Sequence, residues 1–209
     1  MSLYCILMAD IIDSSGKESR KLMNSLRHIV EDVNSNFSKR EILSPLTITL
    51  GDEFQSVLNS VEVACKVILF IEEKLLARKA DFSLRYVIHE GKIDTPINKV
   101  RAHEMLGPGL TQSRKLLSSL KSSKERFLID IDDKEKSEKL SLSFKVYEGL
   151  VNQWTTSSRD VVYSFLQEDD YKILSKKLKK DPSTVWRRKH SLMIDEYKSM
   201  RELIMKLAA

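Results

Sequence analysis

Leu46-Thr47-Ile48-Thr49-Leu50-Gly51-Asp52-Glu53-Phe54-Gln55-Ser56-Val57-Leu58 is the stretch on which the fold turns. Leu46–Leu50 alternates with period two, Gly51-Asp52-Glu53 suits a tight reversal, and Phe54–Leu58 resumes an apolar run, so the segment predicts a β-hairpin. Upstream, Tyr4–Ala9 is a short, nearly continuous apolar run, as expected of a central strand covered on both faces. Between them, Lys17–Phe37 carries Leu22, Leu26, Ile29, Val33 and Phe37 at helical spacing. Downstream, Val61–Lys79 reads as a helix and Phe82–His89 as a strand. Gly91–Gly109 holds two of the four prolines and three of the six glycines and reads as irregular. Leu110–Leu120 is a short helix with Leu110, Leu116, Leu117 and Leu120 inward, and Arg126–Ile131 is a further strand. Asp132–Lys139 is nearly all charged and reads as a solvated loop. From Ser157 onward only amphipathic helices are visible. The order predicts an α+β protein: a ferredoxin-like βαββαβ unit over residues 1–153, followed by a small all-α unit over 154–209.

Composition narrows the setting. With 209 residues and 42% hydrophobic content the chain has enough apolar material for one generous domain or two small ones. No apolar run approaches the roughly 20 residues that span a bilayer, and no basic flank leads into a signal peptide. The two cysteines, Cys5 and Cys65, each lie inside an apolar run and read as buried thiols. The expected location is therefore cytoplasmic, with no membrane partner. The net charge is only +5, but within Tyr171–His190 eight Lys/Arg face the single acidic residue Asp181. Such a local excess favours a polyanion, because each neutralised phosphate releases condensed counterions; a solvated helical face is the plainer alternative.

Two carboxylate positions carry the chemistry. Asp10 ends the first strand, and Asp52 sits at the hairpin tip. In a βαββαβ sheet the first strand is expected to lie beside the hairpin's first strand and antiparallel to its neighbours, so Asp10 and Asp52 are expected to lie close enough to share one cation. Clustered carboxylates repel unless a cation compensates, and oxygen-only ligands favour Mg²⁺ or Mn²⁺ over zinc. Glu53 is expected to face away, since adjacent strand residues point oppositely. The bland readings stay open here: Gly51-Asp52 as a plain hairpin turn, and Asp10 or Asp13 as a helix N-cap.

Three motifs carry a resemblance. Met8-Ala9-Asp10-Ile11-Ile12-Asp13-Ser14-Ser15 resembles the first metal motif of class III nucleotidyl cyclases. Leu50-Gly51-Asp52-Glu53-Phe54 resembles their second metal motif and the Gly-Gly-Asp-Glu-Phe hairpin of diguanylate cyclases. Leu84-Arg85-Tyr86-Val87-Ile88-His89-Glu90-Gly91 is similar to a further cyclase strand. The resemblance implies that Asp10 and Asp52, helped by the Ile11 carbonyl, hold Mg²⁺ or Mn²⁺ shared with a nucleoside triphosphate. It also implies that the backbone N–H groups of Ile12, Asp13, Ser14 and Ser15 meet phosphates at the start of the next helix. Gly107–Leu116 resembles the stretch that supplies transition-state stabilisers, with Thr111 in place of the family's Asn, Lys115 in place of its Arg, and Arg114 adjacent. There are departures. Asp13 stands where the family has a small Gly, Ile48 falls on the base-selecting Lys, and a Lys cannot grip phosphate bidentately. Metal and nucleotide binding with weak turnover is the expectation.

In the tail, Leu174–Arg188 resembles a helix-turn-helix. Ser175 is small where two helices touch, Val185 packs from the second helix, Asp181 is a sound N-cap and Pro182 suits the first turn. The resemblance implies that Ser183, Thr184, Arg187 and Arg188 face a DNA major groove, with Lys176, Lys177 and Lys180 near the backbone. Trp186 is expected in the core. Tyr197–Leu207 reads as a closing helix and as help for a homodimer. A cyclase-like palm joined to such a tail resembles the bacterial SatD-type family, which brings no established reaction. The leading expectation is a regulator that binds nucleotide and metal in the palm and DNA through the tail. An active cyclase or related nucleotidyltransferase, and an architectural DNA-binding dimer with a degenerate palm, are the alternatives.

Overall fold

The computed structural model describes residues 3–12 and 19–209. Five strands form one sheet in the order β2-β3-β1-β4-β5: β1 Tyr4–Ile11, β2 Ile42–Leu50, β3 Glu53–Leu58, β4 Leu84–Gly91 and β5 Phe127–Asp130. β1 pairs antiparallel with β3 and β4, and β2 with β3. β1 thus lies beside the hairpin's second strand and not its first as expected, because β3 returns toward the sheet centre. β5 joins β4 in parallel after a crossover through α3 (Pro108–Lys121). With α1 (Ser19–Asn36) and α2 (Val61–Ala77), this is the expected βαββαβ unit extended by one edge strand. The hairpin forms as read. Gly51 takes φ 61°, a left-handed conformation that glycine adopts without a Cβ penalty. Pro45 is tolerated because β2 is an edge strand.

Alternation along β1 sorts the residues onto two faces. Cys5, Leu7, Ala9 and Ile11, with Phe54, Leu58, Tyr86 and Ile88, belong to the large core beneath α1, α2 and α4 (Lys134–Val151). Leu26, Ile29 and Val33 of α1 are completely buried there, each contributing about 1.5–3 kcal/mol of apolar transfer energy. Ile6, Met8, Val57 and Val87 belong to a smaller core with Leu110, Leu117 and Leu120 of α3 and with Ala102 and Met105. Asp10 continues this second series. A Cβ on Gly91 would collide with the backbone of Gly109, so two glycines let the end of β4 abut the start of α3. Cys5 and Cys65 are buried and free, and burial pushes the Cys65 thiol up to about 12.

One stretch differs from its sequence reading. Residues 134–139, read as a solvated loop, are the first turns of α4, capped by Asp133 accepting from the Lys136 amide at 3.0 Å. The helical period was hidden because its first inward residue is Ser137, whose hydroxyl donates to the Ile129 carbonyl at 2.6 Å. Only from Leu140, Phe144 and Tyr147 does the buried stripe become apolar.

The tail comprises α5 (Arg159–Gln167), α6 (Tyr171–Leu178), α7 (Pro182–Ser191) and α8 (Ile194–Ala208). The apolar core passes without a break across residues 153 and 154: Leu174, Val185, Ile194, Tyr197 and Ile204 share it with the palm. The Tyr197 ring lies 5.5 Å from that of Tyr147 and 4.8 Å from that of Trp154, centroid to centroid. Arg201 pairs with Glu73 of α2 at 2.5 Å. α8 thus commits its apolar face to the palm. No helix among the described residues is long and apolar enough to cross a membrane.

Candidate functional site

At one end of the sheet the main chain ties the two expected carboxylate positions together. The Ile11 amide donates to the Asp52 carbonyl at 3.2 Å, which fixes the end of β1 against the hairpin tip. Asp10 is 2% exposed. Burial pushes its carboxyl above the usual range; the nearby Lys121 ammonium pulls it back, and the Asp52 charge adds to the rise. The Asp10 Oδ1 atom accepts no hydrogen bond of good geometry.

Glu53 does not face away. It is the direct register partner of Asp10 across β1 and β3, and opposite residues of an antiparallel pair share a face. The tight turn gives Asp52 to the tip and returns Glu53 to the ladder. Lys121, the last residue of α3, places its Nζ 3.2 Å from Asp10 Oδ1 and 2.9 Å from Glu53 Oε1. Burial works against the Lys121 charge, and the two carboxylates outweigh it and hold the ammonium above its ordinary value. Arg85, the register partner of Asp10 on β4, lies 3.8 Å from Asp10 Oδ2. Arg114 donates to Glu53 Oε2 at 3.3 Å.

Glu53, Arg85 and Lys121 are therefore members of the cluster that sequence reading left out. The strand register would have found the first two, because both pair directly with Asp10 in the ladder. Nothing local marks Lys121, which stands 68 residues from Glu53.

Beside the cluster lies a groove of about 730 Å³ that includes Met8, Thr49, Gln55, Thr111, Arg114 and Lys115 in its lining. It adjoins the carboxylates through Met8, two residues before Asp10, and Gln55, two after Glu53. All three residues expected to stabilise a transition state thus reach one wall. Thr111 and Lys115 are exposed, and the Thr111 hydroxyl donates to the Gly107 carbonyl at a long 3.4 Å. The phosphate cradle expected at Ile12, Asp13, Ser14 and Ser15 is described only at Ile12, whose amide donates to the Ser83 carbonyl at 2.9 Å. Asp13, Ser14 and Ser15 lie outside the described residues.

Do these groups suit a divalent ion? Among the described residues, no group of three or more His, Cys, Asp or Glu side chains is placed to hold a metal by itself. A buried carboxylate whose Oδ1 meets only an ammonium, at 3.2 Å, a second acidic side chain at its register position and a third whose charge it feels do suit a cation shared with ligand phosphates.

On the tail, α6 and α7 meet through Leu174, Ser175 and Val185, each no more than 3% exposed. Lys179 closes α6 in the left-handed conformation, φ 52°, where glycine is more usual. Asp181 caps α7, accepting from the Ser183 amide at 2.8 Å and its hydroxyl at 2.6 Å. Lys176, Lys177, Lys180, Ser183, Thr184, Arg187 and Arg188 are all exposed. Lys177 lies 3.7 Å from Glu168, and Arg187 donates to the Ser183 hydroxyl at 3.2 Å. Trp186 is not in the core: it is 48% exposed, edge-on to His190. Val185 takes the one inward position of α7, and the next residue is turned about 100° round the helix.

The model of the SatD family matches residues 4–208. The chain belongs to the SatD family. This SatD-family chain also matches a solved structure described as that of a bacterial light-regulated adenylyl cyclase, at 13% identity and a TM-score of 0.43. That match covers 61% of this chain and 75% of the other. A comparison with curated proteins finds no match.

Proposed function

We propose that this SatD-family protein is a ligand-responsive DNA-binding regulator, whose palm takes a nucleotide with a divalent cation and whose α6–α7 pair takes DNA. The observation that carries the palm half is the meeting of Asp10, Asp52 and Glu53 with three cationic side chains beside an open groove. Carboxylates attract the cation, and Arg114 and Lys115 supply positive charge for phosphates. Asp10 and Asp52 would hold the Mg²⁺ or Mn²⁺, with the Ile11 carbonyl beside them; the bound ion offsets phosphate charge. Support for the DNA half comes from the outward placement of every polar residue assigned to it, while Leu174, Ser175 and Val185 lie inside. The tail can respond to the palm because α8 packs directly on α2 and α4, and α5 on α2.

Calorimetry tests the palm. Each nucleoside triphosphate is titrated with Mg²⁺, with Mn²⁺ and with chelator. Binding is expected only with the cation, and Asp52→Ala is expected to abolish it through loss of a carboxylate that holds the ion. Little cyclic product is expected from ATP or GTP, because Thr111 and Lys115 replace the amide and guanidinium of the cyclase motif. Robust metal-dependent product would favour the enzyme instead.

A further inference from the structure

Two carboxylates on neighbouring strands, Asp10 and Glu53, converge on one point, and that point is taken by a side chain of the protein itself. The Lys121 ammonium touches both, at 3.2 and 2.9 Å. Arg85 and Arg114 each touch only one of the pair and from its far oxygen. The carboxylates are deeply set, with side chains 4% and 13% exposed, whereas the Lys121 side chain is 40% exposed. A long, flexible side chain on the last residue of a helix can leave; two carboxylates in a sheet ladder cannot.

We propose that Lys121 is the resident counter-cation of this site and that a divalent ion enters only by displacing it. The inference rests on the metal reading given above, keeps Asp10 and Asp52 as its carboxylates, adds Glu53 on the face that Lys121 occupies, and names Lys121 as the residue that governs entry. Physically, the two states exclude each other. Ammonium–carboxylate contacts sit near 3 Å, but Mg²⁺ draws its oxygens to about 2.0–2.1 Å and allows no second cation between them. Without a metal, Lys121 compensates the two facing oxygens of Asp10 and Glu53, while Arg85 and Arg114 serve the outer ones. With a metal, the ammonium would be a like charge within about 4 Å and must swing to solvent. Lys121 therefore sets how much divalent ion is needed, so the empty protein binds metal weakly, and a ligand that brings its own metal and phosphates shifts the balance.

The test is Mn²⁺ binding to the full chain without nucleotide, read by electron paramagnetic resonance of the free ion. Wild type is expected to bind weakly. Lys121→Met and Lys121→Gln are both expected to bind about tenfold more tightly or better, because each removes the competing charge. Lys121→Arg keeps the charge and is expected to stay near wild type. Adding Asp10→Asn to Lys121→Met is expected to erase the gain. Equal Mn²⁺ affinity in wild type and the two neutral variants overturns the role of Lys121 and leaves the metal reading standing. No binding by any folded variant overturns both. A gain that survives Asp10→Asn places the ion elsewhere and also overturns the proposal. Two neutral variants of different polarity guard against one failing to fold, which circular dichroism checks.

Discussion

Glu72→Met is expected to remove about 3–5 kcal/mol of stability, the cost of stranding a buried charge. The charge is that of Arg126, on the approach to β5 and only 7% exposed. Its Nε donates to the Leu84 carbonyl at 3.0 Å, and its terminal nitrogen donates to Glu72 Oε1 at 2.7 Å. The Tyr86 hydroxyl donates to the same carboxylate oxygen at 2.8 Å. One acidic side chain on α2 thus satisfies groups on β4 and before β5, tying the edge of the sheet to the helix layer. For a chain of this length the loss corresponds to a fall in Tm of roughly 6–20 °C. Urea denaturation of wild type, Glu72→Met, Arg126→Met and the double variant checks it. The double variant is expected to lose much less than the two singles together, because neither charge is then left alone. A single-variant loss below about 1 kcal/mol would mean that water reaches Arg126 and the pair is a surface one.

The second large effect is on DNA. Lys176, Lys177, Lys180, Arg187 and Arg188 are exposed on one helix pair. If Lys176, Lys177 and Lys180 each neutralise a phosphate, the slope of log affinity against log salt is about −2.7, so raising salt from about 50 to 200 mM is expected to cost roughly 40-fold. Lys176→Ala and Lys177→Ala are expected to weaken binding about equally for all sequences, since phosphate contacts position without specifying. Arg187→Ala and Arg188→Ala are expected instead to erode preference among sites, each good bidentate base contact being worth roughly 1–3 kcal/mol. A gel-shift series over salt with the four variants separates these outcomes. Binding indifferent to all four would make α6–α7 a packing element with a solvated basic face.

Much of the fold was legible in the sequence for a physical reason: the period-two alternation and Gly51 mark the hairpin, and the continuous apolar run at Tyr4–Ala9 marks a strand covered on both faces, though which hairpin strand it pairs with was not written there. Gly51 announced the turn because only a residue free at positive φ makes it cheaply. What stayed hidden depends on pairing across strands and helices. Glu53 was misjudged from its neighbour, Asp52, because alternation holds only inside the ladder and Asp52 belongs to the turn. Lys121 and Arg85 join the cluster through register and through the landing point of α3, neither of which is written locally. α4 was half lost because its first inward residue is a serine satisfied by a strand carbonyl. Trp186 was expected in the core, but Val185 takes the one buried place on α7. Asp10 was singled out as the carboxylate that ends an apolar strand and from its place in a cyclase-like motif, and it lies buried beside Glu53 and Lys121.

The most direct test of a palm that regulates a DNA-binding tail joins the two halves in one titration. Fluorescence anisotropy of a labelled duplex at low salt is followed as the protein is added, without nucleotide and then with saturating nucleoside triphosphate and Mg²⁺. DNA binding is expected in both arms, with an affinity that the metal–nucleotide pair changes in wild type and leaves unchanged in Asp52→Ala. Absence of DNA binding at low salt, or an affinity indifferent to a nucleotide that calorimetry shows to be bound, would contradict it.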